Sequence, residues 1–407
     1  MGSTLSEKKY ASFVIALLLA FPVLINTIKV FGNLIVLIFV ILGIYIAISE
    51  KRNPFQIPEL KLFSFLTVSY FGIMLLSMLV ADGLNAEFHH LGRKLHFLLA
   101  PFIALTLLQV DLPLKKLLLS IKIGLIAICL TVINGPLLGN IINANIFSDI
   151  AVAMIFLSMV QIFSETPKER IITFIAVLAG SYAIFLTGTR GSWVSFLILS
   201  MVFIGLTYKP FFQSNNKAKL FLVVLFMGLL GFVGANDKVE SRVKLAVSEI
   251  QNWNSGYNTN NSIGLRMQMY QAGLQAAAQS PWIGYGYRNA NKVASEYAPK
   301  NKRVISNKTH LHNEYLTNLV SAGIVGLLSL LILLFTPMII FYKQLKNKDV
   351  YHYASMGVLL CVGYVTFGFT HIAFGEEHIN AFYVLFIGFL LPRILHTTRA
   401  NYTKHSL

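Results

Sequence analysis

The chain has 407 residues, 56% hydrophobic and 12% charged, with a mean hydropathy of +0.66, which excludes a soluble globular fold. A net charge of +16 raises nucleic acid as a partner, but the placement of the basic residues points elsewhere. The two cysteines, Cys129 and Cys361, both fall inside predicted spans, which excludes a disulfide framework and a cysteine-ligated metal.

Lys8 and Lys9 precede the first apolar run, which has no small-residue cleavage site and is expected to remain as a signal-anchor helix. Apolar runs of about 20 residues, enough to cross a bilayer core, place spans at 10–28, 31–49, 60–80, 95–110, 117–134, 146–163, 171–188, 192–207, 218–234, 316–342, 353–373 and 380–397. The expected fold is an all-α polytopic membrane protein with about twelve helices. Asp149 interrupts the sixth span, and Arg190 sits between two spans with almost no connection around it.

With the N-terminus inside, one set of connections carries Lys51, Arg52, Lys61, Lys115, Lys116, Lys168, Arg170, Lys209, Lys343, Lys346, Lys348, Arg393 and Arg399. The opposite short connections hold only Lys29, Arg93, Lys94 and Arg190. This is the positive-inside pattern, with both termini cytoplasmic. Anionic lipid head groups, not nucleic acid, are the expected partners of the basic excess.

The chain then divides into helices over 1–234, a large loop over 235–315 on the outer face, and helices with a short tail over 316–407. In the loop, Val239, Val243, Val247 and Ile250 recur at helical spacing beside Lys238, Arg242 and Lys244, predicting an amphipathic helix on the membrane surface. A polar turn over 252–261 follows. Asn261 or Ser262 can cap a second helix, which runs through Gln279 and stops at Ser280-Pro281, with Arg266, Tyr270, Gly273 and Ala277 on one face. Gly284-Tyr285-Gly286-Tyr287 is a turn, and 288–308 is polar, basic and without pattern.

His312 stands where this loop re-enters the membrane. The positive end of a helix disfavours imidazolium, and a neutral imidazole at the water–membrane boundary suits a general base for a hydroxyl; the structural alternative is a cap or a packing partner of Tyr315. His310, two residues earlier, has the same chemistry, and Asn313, Glu314 and Tyr270 are nearby in sequence or face. A guanidinium at Arg190 is costly between apolar runs unless it meets an anion, and its planar fork suits phosphate; the alternative is snorkelling to head groups. Arg266 offers the same fork, or is a surface arginine. Arg93 and Lys94, with His89 and His90, can add to a basic funnel; Arg288, Lys300, Lys302 and Arg303 form a basic surface; Glu376, Glu377 and His378 have no assigned role. No Walker A loop, HExxH, DxD or GxSxG element occurs, no metal-ligand spacing is present, and no metal or other cofactor is expected.

Asn261-Ser262-Ile263-Gly264-Leu265-Arg266-Met267-Gln268-Met269-Tyr270, His310-Leu311-His312-Asn313-Glu314 and Thr189-Arg190-Gly191 occur in a topology that resembles the O-antigen ligases of the O-antigen ligase/polymerase superfamily. The resemblance implies a GT-C-like glycosyltransferase of lipopolysaccharide biosynthesis. It would move polysaccharide from undecaprenyl diphosphate to lipid A–core on the periplasmic face, with inversion and without metal. By motif, the family's essential histidine and arginines fall on His312, Arg190 and Arg266. An O-antigen polymerase or a protein O-oligosaccharyltransferase would share donor, loop and arginines. A lipid-linked sugar transporter would instead place ionisable residues mid-span and repeat its halves, and the spans here are nearly free of charge with no internal repeat.

Overall fold

The computed structural model describes residues 5–28, 30–83, 88–134, 143–214, 237–255 and 261–405, with 216, 219, 220 and 223. Long runs of Leu, Ile, Val and Phe have no aqueous partner for their backbone groups in a bilayer, so each run satisfies its own N–H and C=O groups as a helix. The described residues contain no strand.

Among them, nine helices are long and apolar enough to cross a membrane, and two apolar helices, Lys9–Leu24 and Ala144–Ser158, are shorter. The chain is thus an all-helical, multi-pass membrane protein. The helices are α1 (Leu5–Leu24), α2 (Phe31–Ser49), α3 (Pro58–Asp82), α4 (Leu95–Leu108), α5 (Leu114–Ile133), α6 (Ala144–Ser158), α7 (Pro167–Thr187) and α8 (Arg190–Gln213). After them come α9 (Asp237–Ser255), α10 (Ser262–Gln279), α11 (Ala290–Glu296), α12 (Lys302–Ser306), α13 (Glu314–Gln344), α14 (Tyr351–Thr370) and α15 (Glu377–His405). The span predicted at 218–234 lies outside the described residues.

α15 and α6 form the centre: Ile146 to Ser158 are all buried, and so are Ile379 and Ala381 to Ile387. α2 does the opposite, exposing Leu34, Leu37, Ile41, Tyr45 and Ile48 along one stripe, an apolar face suited to lipid. The spans are less free of charge than expected. Lys122 and Glu165 form a buried ion pair that Thr173 joins, Asp149 is buried and accepts from Ser192 at 2.7 Å, and Lys94 is fully buried. Each is paired or hydrogen-bonded, which is what makes burial tolerable.

Contacts sort the connections onto two ends. At one end Arg52 meets Gln109, Arg393 reaches the Val110 carbonyl and Tyr351 reaches the Leu206 carbonyl. At the other, Arg93 meets Glu376, Asn33 meets Glu377, Asn289 meets Asp82 and Arg190 meets Glu249. The second end carries the segment 237–313. Met269, Ala272, Ala276, Ala290, Ala294, Ile305 and Leu311 give this segment its own small hydrophobic core, joined by Leu316 and Val320 of α13. The stretch 288–308, expected to be irregular, is therefore largely helical. Its short apolar residues lie too far apart in sequence for periodicity to show, and α10 supplies the surface they bury.

The predicted single span at 316–342 is broken. α13 turns out of helical geometry at Ala322 and Gly323, the latter with φ 62°. The break frees carbonyls that the segment 281–286 uses: Tyr285 N–H donates to Val320 O at 3.0 Å, Gly286 N–H to Ser321 O at 2.8 Å, and Ile324 N–H to Pro281 O at 2.7 Å. A Cβ at Gly284 or Gly323 would overlap the opposing backbone, at 2.6 Å and 2.2 Å. Left-handed φ alone makes an L residue about 1 kcal/mol worse than glycine, and the overlap adds to it. Gly323→Ala is expected to lower the apparent Tm in detergent and to free the 281–286 segment, read as new protease cleavage there. Wild-type melting and digestion would show that the clamp is dispensable.

Candidate active site

The site is assembled by three connections meeting at the end that carries 237–313. α10 begins at the predicted cap, Asn261, whose side chain accepts the Gly264 N–H at 2.8 Å. The face carrying Tyr270 and Gly273 turns toward 311–316: a Cβ on Gly273 would come within 2.9 Å of Leu311 and Leu316. Tyr270 donates its hydroxyl proton to the His312 carbonyl at 3.0 Å. Leu311 is buried in the small core, which leaves the imidazoles on either side of it together, with ring centroids 4.5 Å apart. His310 is the direct neighbour of His312 and the more buried of the two.

His312 precedes the helix and does not sit in its first turn. Asn313 caps α13, accepting the Leu316 N–H at 2.9 Å, and His312 has a left-handed φ of 53°. A non-glycine residue there costs about 1–3 kcal/mol, and such strain clusters at functional sites. Among the described residues only three non-glycines have positive φ, and Arg288, at 83°, is another.

A third imidazole was not anticipated. His371 ends α14, is buried, meets His310 edge-on with ring centroids 4.9 Å apart and stacks against His312 at 6.0 Å. No local spacing announces it; the only sequence signal is a histidine ending a span on the same side as the loop. Ligand nitrogens of the three histidines lie within 4.8 Å of one another, close enough to hold a metal ion. The expectation that no ligand cluster exists therefore fails as an argument from spacing.

Burial holds all three imidazoles neutral. Desolvation lowers the pKa of His312 to about 4, helped by the positive charges of Arg266 and Lys308. It lowers His371 to about 3, with His312 and Arg266 contributing, and pushes His310 well below the usual range, with His371, His312, Arg266 and Arg288 adding to it. The helix end invoked from sequence is not the cause.

Arg190 opens α8 after Gly188, which closes α7 in the left-handed conformation. Gly191 packs so tightly on Thr370 that a Cβ would lie 2.6 Å from its hydroxyl, which seats α8 beside His371. Arg190 meets the anion its position requires, the buried carboxylate of Glu249 on α9, at 2.9 Å. Arg266 is desolvated, which lowers its pKa; Tyr270 and Glu249 favour its charge and Arg190 opposes it. On α9, Leu245, Val247 and Ile250 are exposed, while the side chains of Lys238, Val239, Arg242 and Val243 lie outside the described residues. α9 continues through Ser255, into the stretch expected to be a turn.

The basic funnel is not formed as expected. Arg93 is held by Glu376 at 3.0 Å, which gives that glutamate a partner. Lys94 is buried, donating to the Tyr70 hydroxyl at 2.7 Å and the Phe374 carbonyl at 3.1 Å. The side chains of His89 and His90 lie outside the described residues. Glu314 points into the bundle, accepting from Phe374 N–H at 3.0 Å and Asn318 at 2.7 Å. It thereby ties the start of α13 to the turn carrying His371. Arg288 lines a cavity with Lys292 and Lys308.

If the φ of His312 is strained, glycine relieves what alanine retains. His312→Gly is expected to melt above His312→Ala by a margin corresponding to about 1 kcal/mol, measured as apparent Tm in the same detergent. Equal melting would mean the loop relaxes without its imidazole.

Residues 175–331 match a family model described as O-Antigen ligase. The chain is 27% identical over 401 residues to an uncharacterized protein of Haemophilus influenzae, covering 93% of this chain and 97% of that one. It is 24% identical over 172 residues to an O-antigen ligase of Escherichia coli, covering 40% of this chain and 39% of that enzyme. The resemblance to the O-antigen ligase family therefore stands, and the matched segment contains Arg190, Arg266, Arg288, His310 and His312 but not His371.

Proposed function

We propose that this protein is an O-antigen ligase, transferring a polysaccharide from undecaprenyl diphosphate to a hydroxyl of lipid A–core at the periplasmic face of the inner membrane. The observation that carries the proposal is one constellation on the segment that resembles the family: His312, held neutral within reach of Arg266, on which Arg190 acts in turn. The blocks 1–234 and 316–407 act as the scaffold, with Arg190 reaching the site from the first of them, and 235–315 supplies His312 and Arg266.

The chemistry balances without a further reactant. His312 takes the proton of the acceptor hydroxyl as its oxygen attacks the anomeric carbon. The bond from that carbon to the diphosphate oxygen breaks, and the diphosphate leaves with the electron pair. Arg190 and Arg266 stabilise the charge that develops there, and such preorganised cations are worth most where charge appears in the transition state. Attack opposite the leaving group inverts the anomeric centre, and the imidazolium then returns its proton to water. Glu249 holds Arg190 until a diphosphate replaces it.

In a purified assay with lipid-linked polymer and lipid A–core, His312→Ala is expected to lower turnover about 10²–10⁴-fold. Arg190→Ala and Arg266→Ala are expected to abolish transfer with normal membrane levels, and lysine to rescue only partly because it lacks the fork. A base is active only when deprotonated. With His312 at about 4, kcat/KM is expected to hold as pH falls below the ordinary imidazole range and to be lost only through about 4. EDTA is expected to leave wild-type turnover unchanged. Full activity in His312→Ala would move the base elsewhere, and reversible EDTA inhibition would give the three imidazoles to a metal.

Orientation is tested separately. A cysteine at Asn307 is expected to react with a membrane-impermeant thiol reagent in intact spheroplasts, and one at Lys348 only after permeabilisation. Both positions flank well-formed elements, and the native cysteines are buried. The reverse pattern would put the site on the cytoplasmic face.

A further inference from the structure

A polar cavity adjoins the segment that leads into His310. It encloses about 470 Å³ and is lined by Asp82, Arg288, Lys292, Lys308 and Thr309, with Met78 on its inner wall. That volume lies in the range of small-ligand sites. Thr309 connects it to the histidines, its hydroxyl lying 2.8 Å from His310 Nδ1.

Two sets of cations are within reach of the imidazoles: Arg266, on which Arg190 acts, and Arg288 with Lys308. The first set is taken by the leaving diphosphate under the proposed reaction. An anionic acceptor then needs cations of its own, and the cavity lining supplies Arg288, Lys292 and Lys308.

The cavity lining is itself unbalanced, three cations against one carboxylate. Asp82 is already engaged, accepting from the Asn289 amide at 3.0 and 3.2 Å. Among the described residues, none of Arg288, Lys292 and Lys308 has an ion pair. Arg288 is also held in a left-handed backbone conformation, directly after the turn clamped by Val320 and Ser321. Converging cations without counter-charges repel one another, and an incoming anion relieves that repulsion.

We infer that the cavity bounded by Arg288, Lys292 and Lys308 is an acceptor subsite that binds an anionic group, a phosphate ester or a sugar carboxylate, carried near the attacking hydroxyl. The inference rests on the transferase reading above. It deepens that reading by giving the acceptor a chemical class and the second cation cluster a task.

The test uses purified full-length protein, lipid-linked polymer and three acceptors: native lipid A–core, the same material treated with phosphatase, and the same material with its carboxylates reduced. Lys292→Met with Lys308→Met keeps the apolar stems and removes both exposed charges; Arg288→Met is tested alone. Charge-assisted contacts are worth about 1.5–3 kcal/mol each, so acceptor KM is expected to rise tenfold or more, with donor KM unchanged. The penalty is expected to disappear on the phosphatase-treated acceptor if phosphate is the ligand, and on the carboxyl-reduced acceptor if a sugar acid is. An unchanged acceptor KM, or an equal rise with all three acceptors, would overturn the subsite. Equilibrium binding of native acceptor to wild type and double variant separates the two claims. Absent turnover with charge-dependent binding removes the transferase reading and keeps the subsite; turnover with charge-independent binding does the reverse.

Discussion

A buried carboxylate, Glu314, holds the site together. It lies at the first turn of α13, accepts from the Phe374 backbone and the Asn318 amide, and takes a longer bond from Tyr70, whose hydroxyl oxygen in turn accepts from Lys94. An isolated carboxylate in an apolar bundle is prohibitively costly, so these partners must be in place for the helix to start where it does. Because Phe374 belongs to the turn that follows His371, the same bonds set the distance between His371 and the His310–His312 pair. Glu314, singled out only as a neighbour of His312, and Lys94, expected in a basic funnel, instead form a buried polar network that anchors the turn after His371.

Beside that network, the electrostatics combine a dry centre with nearby fixed cations. The imidazoles are crowded and desolvated, which keeps all of them unprotonated. The arginines remain charged because nothing in a protein deprotonates a guanidinium, and they reinforce neutrality at the histidines. A site of this kind offers an unprotonated base and fixed positive charge within one small space, two properties that conflict in water. The Arg190–Glu249 pair adds a further feature: this arginine is already satisfied by an internal carboxylate from the helix Asp237–Ser255.

Backbone irregularity is concentrated in the same place. The break in α13, the paired glycines at 284 and 323, and the left-handed His312 and Arg288 all belong to the segment that packs 281–313 against the bundle. Non-helical backbone near a membrane is tolerable only where protein supplies its hydrogen bonds, and here the broken helix and the loop supply them to each other. Rigid support from both sides is what allows two strained residues to persist, and it is the kind of support that holds reacting groups within tenths of an ångström.

Local information in the sequence determined the helical, membrane-embedded character of the chain, the segregation of its basic connections, and the Asn261 cap with its helix to Gln279. It also singled out His312, Arg190 and Arg266. Hydropathy, charge bias and capping act over a few residues, so a linear reading can recover them. The rest was decided by residues distant in the chain. His371 joins the cluster, Glu249 closes on Arg190, Lys94 is drawn inside by Tyr70 and Phe374, and the helix over 314–344 breaks at Gly323 to bond with 281–286. None of these has a local signature, because each depends on a partner that only packing brings within reach. The protonation state of His312 belongs with them: the sequence suggested a helix end as the cause, and burial beside Arg266 and Lys308 supplies it instead.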